Sequence, residues 1–407
     1  MPLRLPLPRA GHALCLLEGS AELFPALRAS IDAAQHEVWL ETYIFDLTGA
    51  SAEVARSLER AAQRGVAVRV VVDGFGTPQL PAEWRRRFDA AGVRWHVYAP
   101  VGGIGVLWPG SWRRLHRKLC VVDGGLAFCG GINLLDDLHD PNHGTLEFPR
   151  LDFAVAVSGP LVADVRLAME QLWQRIDAVH GRKPQALAGA LFPRRRPPPP
   201  AAPHEPPPCM PGAAHQQVRA ALLLRDNVRN RTHIEKAYLR AIGRAQQEVI
   251  IANAYFVPGA RLRRALLGAA RRGVRVMLLL QGRYEYFMQY YAARPVYGAL
   301  LKAGVTIHEY SPSFLHAKVA VIDRHWATVG SSNLDPLSLL LAREANVLID
   351  DEAVARQLRT RLLEAIEHHG REMDPAQYGN RPLRERVLER LALGVMRLAL
   401  VVQGKKY

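Results

Sequence analysis

The stretch LHRKLCVVDGGLAFCGGIN, residues 115–133, recurs as LHAKVAVIDRHWATVGSSN, residues 315–333. His116, Lys118, Asp123, Gly130 and Asn133 coincide with His316, Lys318, Asp323, Gly330 and Asn333, all at an offset of 200. Side chains alternate along a strand, so each copy places its His and its Lys on one strand face. The repeat therefore predicts two equivalent strands sending His and Lys into a shared site.

The match extends outward. AAQHEVWLETYIF (33–45) resembles RAQQEVIIANAYF (244–256), and AAQRGVAVRVVVDG (61–74) resembles AARRGVRVMLLLQG (269–282). AAGVRWHVY (90–98) resembles LKAGVTIHEY (301–310). Each half reads as helix, strand, helix, strand, helix, strand and then the motif hairpin. Short β-rich apolar runs alternating with helical stretches indicate an α/β fold, here two homologous halves with a helix-flanked sheet in each. The expected bounds are 1–192 for the first half and 213–380 for the second. The Pro/Arg-rich stretch 193–212 is the linker, since Pro at that density makes extended chain and no core. Residues 381–407 form a C-terminal amphipathic segment.

The first half carries twelve extra residues within 99–115, a Gly-rich loop with Trp108 and Trp112 beside Arg113 and Arg114. It reads either as an active-site loop with packed aromatics or as a loop resting on lipid headgroups, where Trp is favoured.

Lys and Arg number 53 against 38 Asp and Glu, a formal net charge of +15. Such a balance implies an anionic partner: nucleic acid, a membrane surface or a phosphorylated substrate. Only seven of the basic residues are Lys, so Lys118 and Lys318 look chosen for a compact point charge. No CxxC pair occurs among the four Cys, which argues against a thiolate zinc site. Cys120 and Cys129 could face each other across the hairpin, but their counterparts are Ala320 and Val329, so both read as core packing. The N-terminal MPLRLPLPRAGHALCLLEG is broken by Pro and Arg and makes neither a signal peptide nor a spanning helix. With no long uninterrupted apolar run elsewhere, any membrane is met from its surface.

A pair of His and a pair of Lys suits displacement at phosphorus. One neutral imidazole can attack phosphorus, and the other, protonated, can serve the leaving alkoxide and then the acceptor. Lys118, Lys318, Asn133 and Asn333 can hold the non-bridging oxygens, so no metal and no cofactor is expected. Each His also needs a carboxylate to fix its tautomer. Asp152 and Glu344, each opening an apolar strand after its motif, are the candidates.

At these residues the chain resembles the phospholipase D superfamily and its paired HKD motifs. IIANAYFVPG (250–259) and HWATVGSSNLDPLSLLLAREANVLI (325–349) resemble the bacterial cardiolipin synthase branch, of the B type without N-terminal spanning helices. The resemblance covers about residues 12–380. It implies a pseudo-twofold unit with the active site between the halves and a phosphatidyl–histidine intermediate. His116 would be the nucleophile and His316 the general acid and base. Asp152 and Glu344 would orient the His. Asp123 and Asp323 complete the motifs as supporting groups near the hairpin turns. The first motif reads GGIN where the second reads GSSN, so a hydroxyl contact to phosphate from Ser331 or Ser332 lacks a first-half counterpart. The implied reaction moves a phosphatidyl group from phosphatidylglycerol, or phosphatidylethanolamine, to the hydroxyl of a second phosphatidylglycerol. The implied partners are anionic phospholipid and the cytoplasmic face of a bacterial cell membrane, with no nucleic acid and no obligate protein partner.

Rival readings keep the chemistry with water as acceptor, as a phospholipase or nuclease, or drop it for a non-catalytic membrane-binding protein. DLHDPNH (137–143) is disfavoured as a metal site because Pro141 breaks the helix that would align His139 and His143. YEYFMQYYAARPVYG (284–298) reads as helix packing or as an acyl-chain entrance. RPLRERVLERLALGVMRLALVVQGKKY (381–407) reads as an interfacial helix, or as one packed on the chain itself or on a second copy.

Overall fold

The computed structural model describes residues 5–100, 113–140, 143–180, 215–226, 230–283 and 287–402. The Trp108–Trp112 loop, the linker 193–212 and residues 403–407 lie outside them.

In the first half the strands are β1 (Arg9–Glu18), β2 (Glu37–Thr42), β3 (Ala67–Asp73), β4 (Arg94–Tyr98), β5 (Lys118–Val122), β6 (Leu126–Gly130), a small ribbon of β7 (His139–Asp140) and β8 (Gly144–Thr145), and β9 (Phe153–Ser158). The second half has β10 (His215–Arg225), β11 (Glu248–Asn253), β12 (Arg275–Gln281), β13 (Thr306–Tyr310), β14 (Lys318–Ile322), β15 (Trp326–Gly330), β16 (Glu344–Asp350) and β17 (Gly370–Glu372). Helices Gly19–Ala33, Gly49–Gln63 and Ala82–Ala91 alternate with β2, β3 and β4; His233–Arg244, Ala260–Arg271 and Phe287–Lys302 do the same with β11, β12 and β13. This is the order that the repeat predicts.

The two sets of strands form one fifteen-stranded mixed sheet, β17-β13-β12-β11-β14-β15-β16-β10-β1-β9-β6-β5-β2-β3-β4. Outward from the central antiparallel β1–β10 pair, the halves run in the same order, with β17 added at the edge of the second, the signature of a pseudo-twofold between them. The internal repeat begins beyond β1 and β10 and does not predict them. Pro6 and Pro8 precede β1 without interrupting it, and β10 opens right after the linker. The β1–β10 register is irregular, with Arg9 opposite Ala220, His12 opposite Val218 and Leu14 opposite His215.

Local chemistry explains the repeated units. Helices Gly49–Gln63 and Ala260–Arg271 bury one stripe each, including Val54, Leu58 and Ala61 in the first and Leu262, Leu266 and Ala269 in the second. Gly65 and Gly273, just past the helix ends, take φ of 91° and 84°, the left-handed turn that starts the next strand. The motif strands β5 and β14 are buried throughout, as strands covered on both faces must be. One apolar cluster runs across both halves, joining Val121, Val155 and Trp173 to Val319, Val347 and Leu358, while each half keeps a further cluster of its own. Leu119 is opposite Cys129 and Cys120 opposite Phe128, so the two Cys do not face each other; both are free and buried.

Candidate active site

Two backbone anchors fix the start of each motif. The Leu115 amide donates to Asp73 Oδ2 at 2.7 Å, and the Leu315 amide to Gln281 Oε1 at 3.1 Å. The next amide crosses to the other half: His116 N donates to the Arg343 carbonyl at 3.0 Å and His316 N to the Leu151 carbonyl at 2.9 Å. Asp73 and Gln281 were not singled out from sequence, although the repeat sets them in register ahead of Gly74 and Gly282.

The crossing carries the carboxylates with it. Arg343 and Leu151 precede Glu344 and Asp152, so each His meets the carboxylate of the opposite half. His116 Nδ1 lies 3.1 Å from Glu344 Oε2, and His316 Nδ1 lies 2.6 Å from Asp152 Oδ2. The carboxylate side chains are 0% and 3% exposed, whereas those of His116 and His316 are 15% and 20% exposed. The imidazoles are therefore the part of each pair that a substrate can reach.

The two His are not equivalent. His116 Nδ1 also lies 3.1 Å from the Ser331 carbonyl. Facing two acceptors, it carries the ring proton, which leaves a lone pair on Nε2 in the neutral ring. His316 Nδ1 sits between Asp152 and Lys318 Nζ, the latter at 2.7 Å. Lys318 Nζ is also 3.6 Å from Asp152 Oδ2 and bonds the His316 carbonyl. Lys118 Nζ donates to the His116 carbonyl at 2.7 Å and lies 5.3 Å from the Tyr43 ring centre. That same ring packs edge-on against His116 at 4.9 Å. Tyr43 matches Ala254 in the repeat and was also missed.

Electrostatics tie the four groups into one site. Burial lowers the His116 pKa; Glu344 opposes this and Lys118 adds to it. Burial together with Lys318, Lys118 and His116 holds His316 well below the usual His value. Burial and then Lys318 bring Lys118 down to about 7, and burial pushes Asp152 up to about 6. Side chains from both motifs thus perturb one another, as residues meeting in a single desolvated centre do.

The asparagines occupy matching positions. Asn133 Oδ1 accepts from Ile44 N at 3.2 Å and Asn333 Oδ1 from Tyr255 N at 3.4 Å. The serines correct the expectation of a phosphate contact. Ser331 Oγ donates to Glu344 Oε2 at 2.5 Å and accepts from Ala345 N at 3.1 Å, and Ser332 Oγ donates to the Asn333 carbonyl at 3.3 Å. Both are fully buried. At the position matching Ser331, a Cβ on Gly131 would overlap the Asp152 carboxylate. The GGIN/GSSN difference therefore belongs to the support of the carboxylates: the shorter Asp152 crowds a Gly, and the longer Glu344 is braced by a hydroxyl.

Asp123 and Asp323 sit at the far end of the motif strands from His and Lys and do not join the site. Asp123 accepts from the amides of Gln35, His36 and Glu37 at 2.7–2.8 Å, and Asp323 from those of Gln246, Gln247 and Glu248 at 2.8–3.1 Å. They tie each hairpin tip to the start of β2 or β11, a structural role. Between His116 and Lys118, Arg117 forms a buried pair with Glu41, also missed from sequence; in the repeat both positions are Ala, Ala317 and Ala252. His143 Nδ1 lies 2.9 Å from Asp140 Oδ1, and Arg150 takes the other Asp140 oxygen at 2.6 Å. Among the described residues no cluster of His, Cys, Asp and Glu is placed to hold a metal ion.

A family model described as cardiolipin synthase, PLD-like domain, matches twice, over residues 27–146 and 238–366. Cardiolipin synthase B of Escherichia coli strain K12 is 39% identical over 355 residues, covering 87% of this chain and 80% of that protein. Cardiolipin synthase of Geobacillus kaustophilus is 30% identical over 384 residues, covering 94% and 72%. Among solved structures, the phosphatidylserine synthase of Haemophilus influenzae Rd KW20 superposes with a TM-score of 0.69 over 98% of this chain and 96% of that one; at 13% identity this likeness concerns the fold.

Proposed function

Because the chain belongs to the cardiolipin synthase family of phospholipase D-like proteins, we propose that it makes cardiolipin, as a phosphatidyltransferase, through a phosphohistidine on His116. The donor is phosphatidylglycerol, with phosphatidylethanolamine as a second candidate. His116 Nε2 bonds to phosphorus, the bond from phosphorus to the glycerol oxygen breaks, and His316 gives that oxygen a proton. The hydroxyl of a second phosphatidylglycerol then passes its proton to His316 and attacks phosphorus, and the nitrogen–phosphorus bond breaks. Bond types balance across the two steps, so no nucleotide is consumed.

The observation that carries this reading is the unequal setting of the two His. His116 Nδ1 faces two acceptors, which suits Nε2 to attack. Burial, and after it the two ammonium groups around it, hold the His316 pKa well below the usual value. A bound phosphodiester offsets those charges and lets His316 hold the proton that the leaving group needs. Lys118, Lys318 and the side-chain amides of Asn133 and Asn333 stabilise the phosphoryl oxygens, the work a metal does elsewhere. Asp152 and Glu344 hold the rings in place. The substrate is a membrane lipid, and the enzyme works on the membrane from its cytoplasmic face. No helix among the described residues is long and apolar enough to cross it.

Mass spectrometry after incubation with labelled phosphatidylglycerol tests the reading. Cardiolipin carrying label, with release of glycerol, is the expected product. Phosphatidate alone would reassign the protein as a hydrolase.

A further inference from the structure

We infer that the outer face of the helix Leu383–Val402 is a docking surface for an anionic phospholipid bilayer. The inference rests on the membrane-lipid reading above and adds the surface that meets the membrane. Four of the nine exposed large apolar side chains among the described residues lie on this one helix: Leu383, Val387, Leu391 and Val395, from 48% to 73% exposed. Their spacing of four sets them in a single stripe. The opposite side is already occupied. Ala392 and Met396 are buried in the second-half core, and the helix lies along Phe287–Lys302. The helix therefore keeps one apolar face for the fold and presents a second to the outside.

The charges flanking the outer stripe identify its occupant. Arg384, Arg386 and Arg390 are exposed, whereas the carboxylates of the same turns are withdrawn. Glu389 is 3% exposed and pairs with Arg381, and Glu385 is half-buried. The outer face thus combines aliphatic side chains with cations and carries no exposed carboxylate. That is the composition of a helix lying in the headgroup layer, with its apolar stripe toward the acyl chains and arginines among the phosphates. A protein partner would not require the carboxylates to be turned inward. The helix is too polar to span, so it lies flat.

Flotation of the full chain with vesicles of phosphatidylglycerol and phosphatidylcholine tests the inference. Wild type floats at low salt, and less so at high salt or on pure phosphatidylcholine. The pair Val387→Asp, Leu391→Asp should lower the bound-to-free ratio at least about tenfold. The pair Arg386→Glu, Arg390→Glu should lower it and remove most of its salt dependence. Both pairs change exposed positions and should keep wild-type turnover of short-chain, monomeric phosphatidylglycerol. If the aspartate pair floats like wild type, the inference is overturned. It is equally overturned if that pair changes only the sedimentation of the free protein from dimer to monomer, which makes the face an interface between copies. If wild type floats through this helix yet transfers no phosphatidyl group even to water, the docking surface stands and the proposed function falls.

Discussion

Replacing Lys118 by Met should destroy activity and, at low pH, stabilise the fold. Lys118 is 6% exposed, and its pKa falls to about 7 from 10.5. That difference corresponds to a penalty of about 5 kcal/mol on the charged form in the folded protein. Met keeps the length without the charge, but it leaves the His116 carbonyl without the donor now 2.7 Å away. Losing that bond costs about 1–3 kcal/mol, so a net gain of about 2–4 kcal/mol remains. The pH dependence carries the sign. Folded Lys118 releases its proton near pH 7 and the unfolded side chain near 10.5. Between these values the unfolded chain holds more protons, so wild-type stability rises with pH and the advantage of Met shrinks. Denaturant titrations at pH 6 and pH 9.5 should show Lys118→Met about 2–4 kcal/mol more stable at the first and no more stable, or less so, at the second. Activity should fall about 10²–10³-fold at both. A variant destabilised equally at both pH values would mean that Lys118 carries its charge without penalty, and the account of a strained cationic centre would be wrong.

Other expectations follow from the same geometry. Gly131→Ala should reduce kcat by at least about tenfold while the chain still folds, because its methyl displaces the Asp152 carboxylate that holds His316; unchanged kcat would show that this carboxylate has room to move without consequence. Asp123→Ala should lower stability by about 2–4 kcal/mol through three orphaned amides and leave KM for lipid unaltered, as thermal unfolding and kinetics together would reveal. The pH profile of kcat/KM should be a narrow bell: activity falls below about 6 as Asp152 takes up a proton, and above about 7 as Lys118 loses one. A flat profile from pH 5 to 9 contradicts the assignment of those two groups.

Much of this was legible in the sequence because the chain states its fold twice. The helix–strand order, the motif hairpins, both His and Lys, and the two orienting carboxylates emerge from aligning one half with the other. What the alignment hides is the contact between the halves. Asp152 and Glu344 lie downstream of their own motifs, yet each serves the other motif, because Leu151 pairs with Leu315 and Arg343 with Leu115 across the pseudo-twofold. No spacing along one chain encodes that exchange. β1 and β10, the strands that fuse the sheets, were masked by neighbouring prolines. Asp123 and Asp323 are part of the motif pattern, but a pattern does not say which members touch substrate; three amide hydrogen bonds apiece place them in the scaffold. Ser331 looked like a phosphate ligand for the same reason, and only its distance to Glu344 shows what it braces. Asp73 and Gln281 do the same job with different residue types, so neither stood out.

The central claim is that His116 forms the bond to phosphorus and His316 moves the proton. Rapid quenching of enzyme mixed with phosphatidylglycerol labelled in its phosphate, followed by peptide mapping, tests it directly. The account predicts acid-labile label on His116 in wild type, stronger accumulation in His316→Ala where release is slowed, and none in His116→Ala. Label on His316 that persists in His116→Ala would contradict it and exchange the roles of the two halves.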